Sequence, residues 1–170
     1  MFLNELINIY VKKYRSKGIP DAFKEIRFII EELIKLPLSS QLSNESLYLN
    51  KKIETVLKKT LNRRLKREPL ERIFNKKTFR DFELTLNSST FSPRQETELL
   101  IDIVISLNVK PKSILELGTG TGAINIALMK KFPNTKSVAT DVNIRSIKLA
   151  KKNAIKNNVV DQITFICCNW

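Results

Sequence analysis

The segment that most constrains the fold of this chain is residues 113–126, which read Ser-Ile-Leu-Glu-Leu-Gly-Thr-Gly-Thr-Gly-Ala-Ile-Asn-Ile. An apolar run closes around an acidic residue, three glycines follow at alternate positions, and an apolar pattern with helical spacing begins. This order predicts a strand, a loop with exposed backbone and the start of a helix. Because glycine has no side chain, a small molecule can lie directly against such a loop.

The same alternation of strand and helix continues on both sides of the glycine loop. The patterns predict strands at 113–117, 136–141 and 163–168, and helices at about 96–107, 122–131 and 144–157. Strands that alternate with helices indicate an α/β fold with a parallel, doubly wound sheet. Residues 96–170 are therefore predicted to form a ligand-binding domain of this class.

The first 77 residues are predicted to be a separate helical domain. Apolar residues recur with helical spacing over 2–17, from Pro20 to Pro37, and over about 50–67. The predicted inward positions of the second and third helices include Phe23, Ile26, Ile29, Ile30, Val56, Leu57 and Leu61. Alternating residues over 78–86, a turn at Asn87-Ser88 and a short strand at Thr90-Phe91 then predict a β-hairpin that links the two domains, over 78–95.

The net charge is +13, and most of it lies in the helical half. Residues 1–77 hold 18 basic and 9 acidic side chains, whereas 78–170 hold 12 and 8. A basic surface can contact RNA, but exposed lysines on solvated helix faces give the same composition. Both interpretations of the basic half remain open at this point.

Histidine and cysteine usage excludes several kinds of chemistry. The chain has no histidine, so it has no Ser-His catalytic pair and no His-ligated zinc. The two cysteines, Cys167 and Cys168, are adjacent and match neither a metal site nor a disulfide framework. We expect no metal, no membrane-spanning segment and a reducing, cytoplasmic location.

Two carboxylates near the glycine loop indicate the class of cofactor. Asp141 ends the strand after the loop, where a carboxylate can accept both hydroxyls of a ribose. Glu116 precedes Gly118 by two residues, and there it would repel the diphosphate of NAD and attract the ammonium group of S-adenosylmethionine. S-adenosylmethionine is favoured, with NAD and a tight turn without ligand as the alternatives.

Three ordered segments then indicate a family. They are Arg67-Glu68-Pro69-Leu70-Glu71-Arg72-Ile73, Phe91-Ser92-Pro93-Arg94-Gln95-Glu96-Thr97-Glu98, and the glycine loop itself. Together they resemble the release-factor glutamine N5-methyltransferases, the bacterial family once called HemK. The resemblance covers the whole chain, although Gln95 stands where the family usually has proline and Asn169 where aspartate is commoner.

The resemblance implies a fold and a set of site residues. The N-terminal helices would help to grip a class 1 peptide chain release factor, and the α/β part would be the first half of a seven-stranded, Rossmann-like methyltransferase domain. Residues 93–98 would lie near the active-site mouth. The residues implied to bind S-adenosylmethionine are Glu116, Gly118, Thr119, Gly120, Thr121, Gly122, Asp141 and, beside the adenine, Trp170.

The family's catalytic signature, Asn-Pro-Pro-Tyr, does not occur among these 170 residues. In the family this loop orients the glutamine amide toward the methyl group. We therefore expect an incomplete domain, a truncated chain that binds the cofactor weakly and methylates nothing by itself. The alternative is a binding module without catalysis, which would use the basic helical half to hold a release factor or RNA.

Overall fold

The computed structural model describes residues 1–43 and 46–169. These residues form two compact units, Met1–Ile73 and Phe74–Trp170. The role expected for Trp170 falls on a residue outside the described ones.

The first unit is built from helices with one apolar face each. They are α1 (Leu3–Ser16), α2 (Ala22–Ile34), α3 (Leu38–Ser43), α4 (Lys51–Leu65) and the start of α5 (Leu70–Phe74). Helices α1, α2 and α4 pack against one another, and the Tyr14 hydroxyl donates a hydrogen bond to the Leu61 carbonyl at 3.0 Å. The core side chains are fully buried: Leu3, Leu6, Tyr14, Ile26, Ile29, Ile30, Leu57 and Leu61.

Two predicted inward positions in this unit are wrong. Phe23 and Val56 are 45% and 44% exposed. Each lies at the margin of its helix's apolar stripe, where spacing alone does not separate core from surface. The Phe23 ring is instead covered on one side by the Arg27 guanidinium, 4.5 Å from the ring centre.

The second unit begins with a hairpin whose turn differs from the predicted one. Strands β1 (Lys76–Phe79) and β2 (Phe82–Thr85) are antiparallel, and Arg80 and Asp81 form the turn between them. The alternation over 78–86 is thus two short strands, and Thr90-Phe91 is not a strand. Arg80 adopts a positive φ of 52° without being glycine, so the usual sequence signal for this turn is missing.

The rest of this unit is a parallel α/β arrangement, as predicted. Strands β3 (Ser113–Leu117), β4 (Lys136–Asp141) and β5 (Ile163–Cys167) form a sheet in the order β3-β4-β5. Helices α6 (Gln95–Ser106), α7 (Ala123–Lys131) and α8 (Ile144–Lys156) alternate with them. The described residues supply three strands, so the seven-stranded domain implied by the resemblance stays a prediction.

The two faces of this sheet differ in burial. Ala139 is fully buried in the apolar cluster that Ile114 also contacts, whereas Leu115 and Leu117 on the opposite face of β3 are 64% and 49% exposed. In the order β3-β4-β5, β3 and β5 are both edge strands of the described sheet, and the face that carries Leu115 and Leu117 is partly exposed.

None of the described helices is both long and apolar enough to cross a bilayer. Among the same residues there is also no group of three or more potential metal ligands.

Candidate functional site

A cavity of about 840 Å³ lies at the carboxyl ends of β3 and β4. This is the edge of a parallel sheet where ligands bind in open α/β folds. Two other segments complete its wall, one before α6 and one at the start of α8. The lining residues are Ser89, Thr90, Phe91, Ser92, Pro93, Arg94, Glu96, Thr97, Glu116, Gly118, Thr119, Gly120, Thr121, Ala123, Ile124, Asp141, Val142, Asn143 and Ser146.

The glycine loop takes a shape that requires glycine. Gly118, Gly120 and Gly122 have φ values of 73°, 55° and 81°, in the left-handed region that other residues rarely adopt. A side chain at Gly122 would also bring its Cβ to 3.2 Å from the Cβ of Ala150 on α8. Gly122 therefore allows close packing of loop and helix, and it does not line the cavity itself.

Hydrogen bonds from neighbouring elements fix this loop. The Thr119 amide donates to the Thr140 carbonyl at 2.7 Å, and the Gly122 amide donates to the Thr119 carbonyl at 2.8 Å. The fully buried Asn153 of α8 donates from Nδ2 to the Thr121 carbonyl at 2.9 Å. The loop is thus held by β4 and α8 before any ligand arrives.

Asn153 also binds the hairpin. Its Oδ1 accepts from the Thr85 amide at 2.8 Å, and its Nδ2 donates to the Thr85 carbonyl at 3.0 Å. One amide side chain therefore joins β2, α8 and the glycine loop. Asn153 could not be predicted as a site residue, because a lone asparagine in a helix carries no motif.

Glu116 is held at the floor of the cavity by a polar network. Its Oε2 accepts from Thr119 Oγ1 at 2.7 Å and from Asn125 Nδ2 at 2.6 Å. Asn125 is fully buried, and its Oδ1 accepts a short hydrogen bond from the Ser137 hydroxyl. Burial raises the pKa of the Glu116 carboxyl above its ordinary value, although the hydrogen bonds from Thr119 and Asn125 act in the opposite direction.

Asp141 lies across the loop from Glu116 and is nearly buried. Its Oδ2 accepts from the Gly120 amide at 3.0 Å, and its Oδ1 accepts from the Asn143 amide at 2.8 Å. Each carboxylate oxygen has a further acceptor site after these bonds. The geometry thus presents a fixed carboxylate that can accept two more hydrogen bonds from a ligand.

The structure brings most of the predicted site residues together. Glu116, Gly118, Thr119, Gly120, Thr121 and Asp141 line the same cavity, as do several residues of the 93–98 segment. The cavity is also lined by residues that were not among the predicted ones, including Ser89, Asn143 and Ser146. Asn143 could have been found as the N-cap of α8, because its Oδ1 accepts from the Arg145 amide at 2.9 Å.

Comparisons with known proteins identify methyltransferases that are similar to this chain. The family model for the methyltransferase small domain matches residues 88–169. A release factor glutamine methyltransferase from Agrobacterium fabrum is 27% identical over 94% of this chain and 57% of its own length, and one from Dictyoglomus turgidum is 42% identical over 64% and 39%. The chain therefore resembles the HemK-like methyltransferases over most of its length. A bifunctional methyltransferase from Rickettsia bellii is also 33% identical to this HemK-like chain, over 99% of it.

The curated relatives are considerably longer than the matched segment. This HemK-like chain spans 35% of the Rickettsia bellii protein and 36% of a second bifunctional methyltransferase, from Rickettsia typhi. The methyltransferase domain indicates S-adenosylmethionine as the cofactor. The residues fit that group, because two carboxylates face a cavity whose volume lies in the range of ordinary ligand sites.

Proposed function

We propose that this chain carries the cofactor-binding part of a methyltransferase that modifies the glutamine side chain, at its amide nitrogen N5, of class 1 peptide chain release factors. The observation that carries the proposal is the pair of carboxylates, Glu116 and Asp141, on either side of the glycine loop in one cavity. The names of the relatives from Agrobacterium fabrum and Dictyoglomus turgidum support the choice of substrate.

Asp141 is proposed to hold the ribose of S-adenosylmethionine. Backbone amides of Gly120 and Asn143 fix both of its oxygens, so the carboxylate does not need to reorganise when it accepts the two hydroxyls. The backbone at Gly118 and Gly120 would lie against the methionine end of the cofactor, because glycine has no side chain to separate the backbone from the cavity. Trp170 is proposed to pack beside the adenine, on the resemblance alone.

Glu116 is proposed to attract the ammonium group of the cofactor. Burial raises the pKa of the Glu116 carboxyl, and a nearby cation lowers that pKa again. Binding of the ammonium group therefore favours loss of the Glu116 proton. The network through Thr119 and Asn125 holds the carboxyl in place for this contact. The bound cofactor supplies an electrophilic methyl group on its sulfonium.

Transfer to a glutamine amide is a matter of positioning rather than acid–base chemistry. We propose that this chain holds the cofactor and that the groups orienting the amide lie in an Asn-Pro-Pro-Tyr loop outside these residues. By this proposal the chain alone is inactive, and a completed domain transfers methyl groups.

Cofactor binding is tested by nuclear magnetic resonance titration, which detects weak binding. S-adenosylmethionine should shift the amide resonances of residues 118–122, and Asp141→Asn should weaken binding by about tenfold, the equivalent of one good hydrogen-bonded contact. Asp161→Asn is the matched control, since Asp161 is an exposed carboxylate of the same unit outside the cavity. Unshifted loop amides, or equal effects of the two variants, would refute the proposed site.

The substrate is tested by joining the chain to the C-terminal part of a curated relative. Once the joined protein binds S-adenosylmethionine, it should methylate the glutamine of a release factor and leave a glutamine-to-alanine release factor unmodified. Methylation of a different acceptor by a cofactor-binding protein would contradict the proposed substrate.

A further inference from the structure

Helix α8 has an unusually one-sided charge. It carries Arg145, Lys148, Lys151, Lys152 and Lys156, and it contains no acidic residue. Lys156 is neutralised by Glu83 at 2.5 Å. By contrast, Arg145, Lys148 and Lys152 make no ion pair with any described residue. These three cations share one side of the helix, and their positions advance along its axis by about 5 and then about 6 Å.

Those three side chains line a groove of about 730 Å³ beside the hairpin. We call it the basic groove; its lining residues are Asn75, Thr85, Leu86, Asn87, Ser88, Arg145, Lys148, Leu149 and Lys152. None of these residues is acidic, so the positive potential in the groove is not cancelled locally. Amide and hydroxyl groups on the opposite wall add further hydrogen-bonding groups.

The basic groove and the cofactor cavity are lined by adjacent residues in two segments of the chain. Residues 85–88 line the groove and 89–94 line the cavity, so one stretch of chain passes directly from one to the other. On α8, Ser146 faces the cavity and its neighbour Arg145 lines the groove. A long substrate with its reacting side chain at the cavity can therefore place a flanking part in the groove.

We propose that the basic groove binds an acidic stretch of the polypeptide that is methylated. That the ligand is the methylated polypeptide rests on the proposed function. That its bound stretch is acidic rests on the cations of the groove. Carboxylates along a peptide suit a row of spaced cations with an amide-bearing wall. A single-stranded RNA is less suited, because none of the described lining residues is aromatic and bases would have no side chain on which to stack.

The test uses the 170-residue chain and a fluorescein-labelled peptide of alternating glutamate and glycine. Fluorescence anisotropy should show binding that weakens as salt is added. The triple variant Arg145→Gln, Lys148→Gln, Lys152→Gln should weaken it by about tenfold or more, the equivalent of losing two or three exposed charge contacts. The matched control is Lys110→Gln, Lys112→Gln, Lys131→Gln, which removes the same charge from exposed sites of the same unit and should change affinity by less than about twofold.

Two further measurements make the outcome decisive. Far-ultraviolet circular dichroism establishes that each variant is folded, and Lys148→Glu should weaken peptide binding more than Lys148→Gln. Equal losses in both triple variants would overturn the proposal, because net charge and not the groove would then be responsible. Tighter, groove-dependent binding of a short oligouridylate would overturn it in favour of RNA.

The experiments distinguish an error in the proposed role of the groove from an error in the proposed function. Cofactor binding at Asp141 is measured without the peptide, and none of the three substituted cations lines the cofactor cavity. Loss of groove binding with intact cofactor binding would refute the groove alone. Groove binding by a protein that methylates another acceptor would refute the release-factor substrate alone.

Discussion

The two units of this chain bury different proportions of apolar and polar side chains. Among the described residues, Met1–Ile73 buries fourteen apolar side chains, including Tyr14, Leu57 and Leu61, and the other unit buries seventeen. Of the thirteen buried polar or charged residues described, ten belong to the other unit, including Asn125, Asp141 and Asn153. The helical unit is thus held mainly by apolar packing, whereas the α/β unit places hydrogen-bonded polar groups around its loop.

The apolar packing of the helical unit serves stability, whereas the buried polar groups of the α/β unit also serve function, because they hold the loop for a ligand. Apolar packing tolerates changes of shape but provides no directional contacts. Buried hydrogen bonds fix atoms in place, and each lost partner leaves a polar group without water or protein to satisfy it. The α/β unit uses such groups where its loop must be held for a ligand, and it leaves apolar surface such as Leu115 exposed.

The largest effect should come from the apolar core of the helical unit. Leu57 is fully buried between packed helices, so Leu57→Ala should lower the free energy of unfolding by about 3 kcal/mol, through lost burial and a cavity. Hydrogen exchange should show the loss in amides of Met1–Ile73. A cost below about 1 kcal/mol would mean that apolar packing does not dominate this unit.

The next effect should come from the polar centre of the α/β unit. Asn153→Leu keeps the approximate size but removes the bonds to Thr85 and to the Thr121 carbonyl, which should cost about 2 kcal/mol. Hydrogen exchange at the Thr85 amide and through the glycine loop should report it. Lys151→Leu, on the exposed side of the same helix, is the control and should cost under about 0.5 kcal/mol. A cost for Asn153→Leu as small as that of Lys151→Leu would contradict the view that buried polar groups hold the α/β unit.

The same contrast explains what the sequence could predict. Helices α1, α2 and α4 and strands β3 and β4 follow from apolar spacing, because burial of one face determines them. The Arg80-Asp81 turn and Asn153 could not be predicted, because both depend on partners distant in sequence, such as Asp102, which accepts from Arg80 Nη1 at 2.6 Å. Glu116 and Asp141 could be placed near the loop, since strand ends in a parallel sheet share one edge.

A smaller effect should appear as a pH dependence caused by Glu116. Its folded-state pKa is raised, mainly by burial, so the folded protein binds a proton that the unfolded chain has released. The stability of the ligand-free protein should therefore fall as pH rises from the ordinary carboxyl pKa to the raised one, by about 1.4 kcal/mol for each pH unit that separates the two pKa values. Affinity for S-adenosylmethionine should rise over the same window, because the ionised carboxylate attracts the ammonium.

Glu116→Gln isolates this contribution. Urea unfolding across pH gives the difference in the free energy of unfolding between the wild-type protein and Glu116→Gln. The contributions of other carboxyls cancel in this difference, for example that of Glu83, whose pKa is lowered by Lys156. The stability of the wild-type protein relative to Glu116→Gln should fall as pH rises. The affinity of the variant for S-adenosylmethionine should no longer rise with pH. A wild-type protein that gains stability relative to Glu116→Gln as pH rises would contradict the raised pKa.

The smallest effect concerns the polar link inside the apolar unit. Arg64 of α4 donates from Nε and Nη2 to the two carboxylate oxygens of Glu25 on α2, at 2.7 and 2.9 Å, and both side chains are less than one-fifth exposed. A paired geometry that is partly shielded from water exceeds an ordinary surface pair, so a double-mutant cycle of Glu25→Gln and Arg64→Gln should give a coupling of about 1 kcal/mol. The Lys35–Glu32 pair is the control: its charged groups are 3.6 Å apart, Lys35 is 79% exposed, and the coupling between the two residues should be about 0.2 kcal/mol. A coupling for Glu25–Arg64 as large as the cost of Leu57→Ala would show that a charged contact, and not apolar packing, secures α2 against α4.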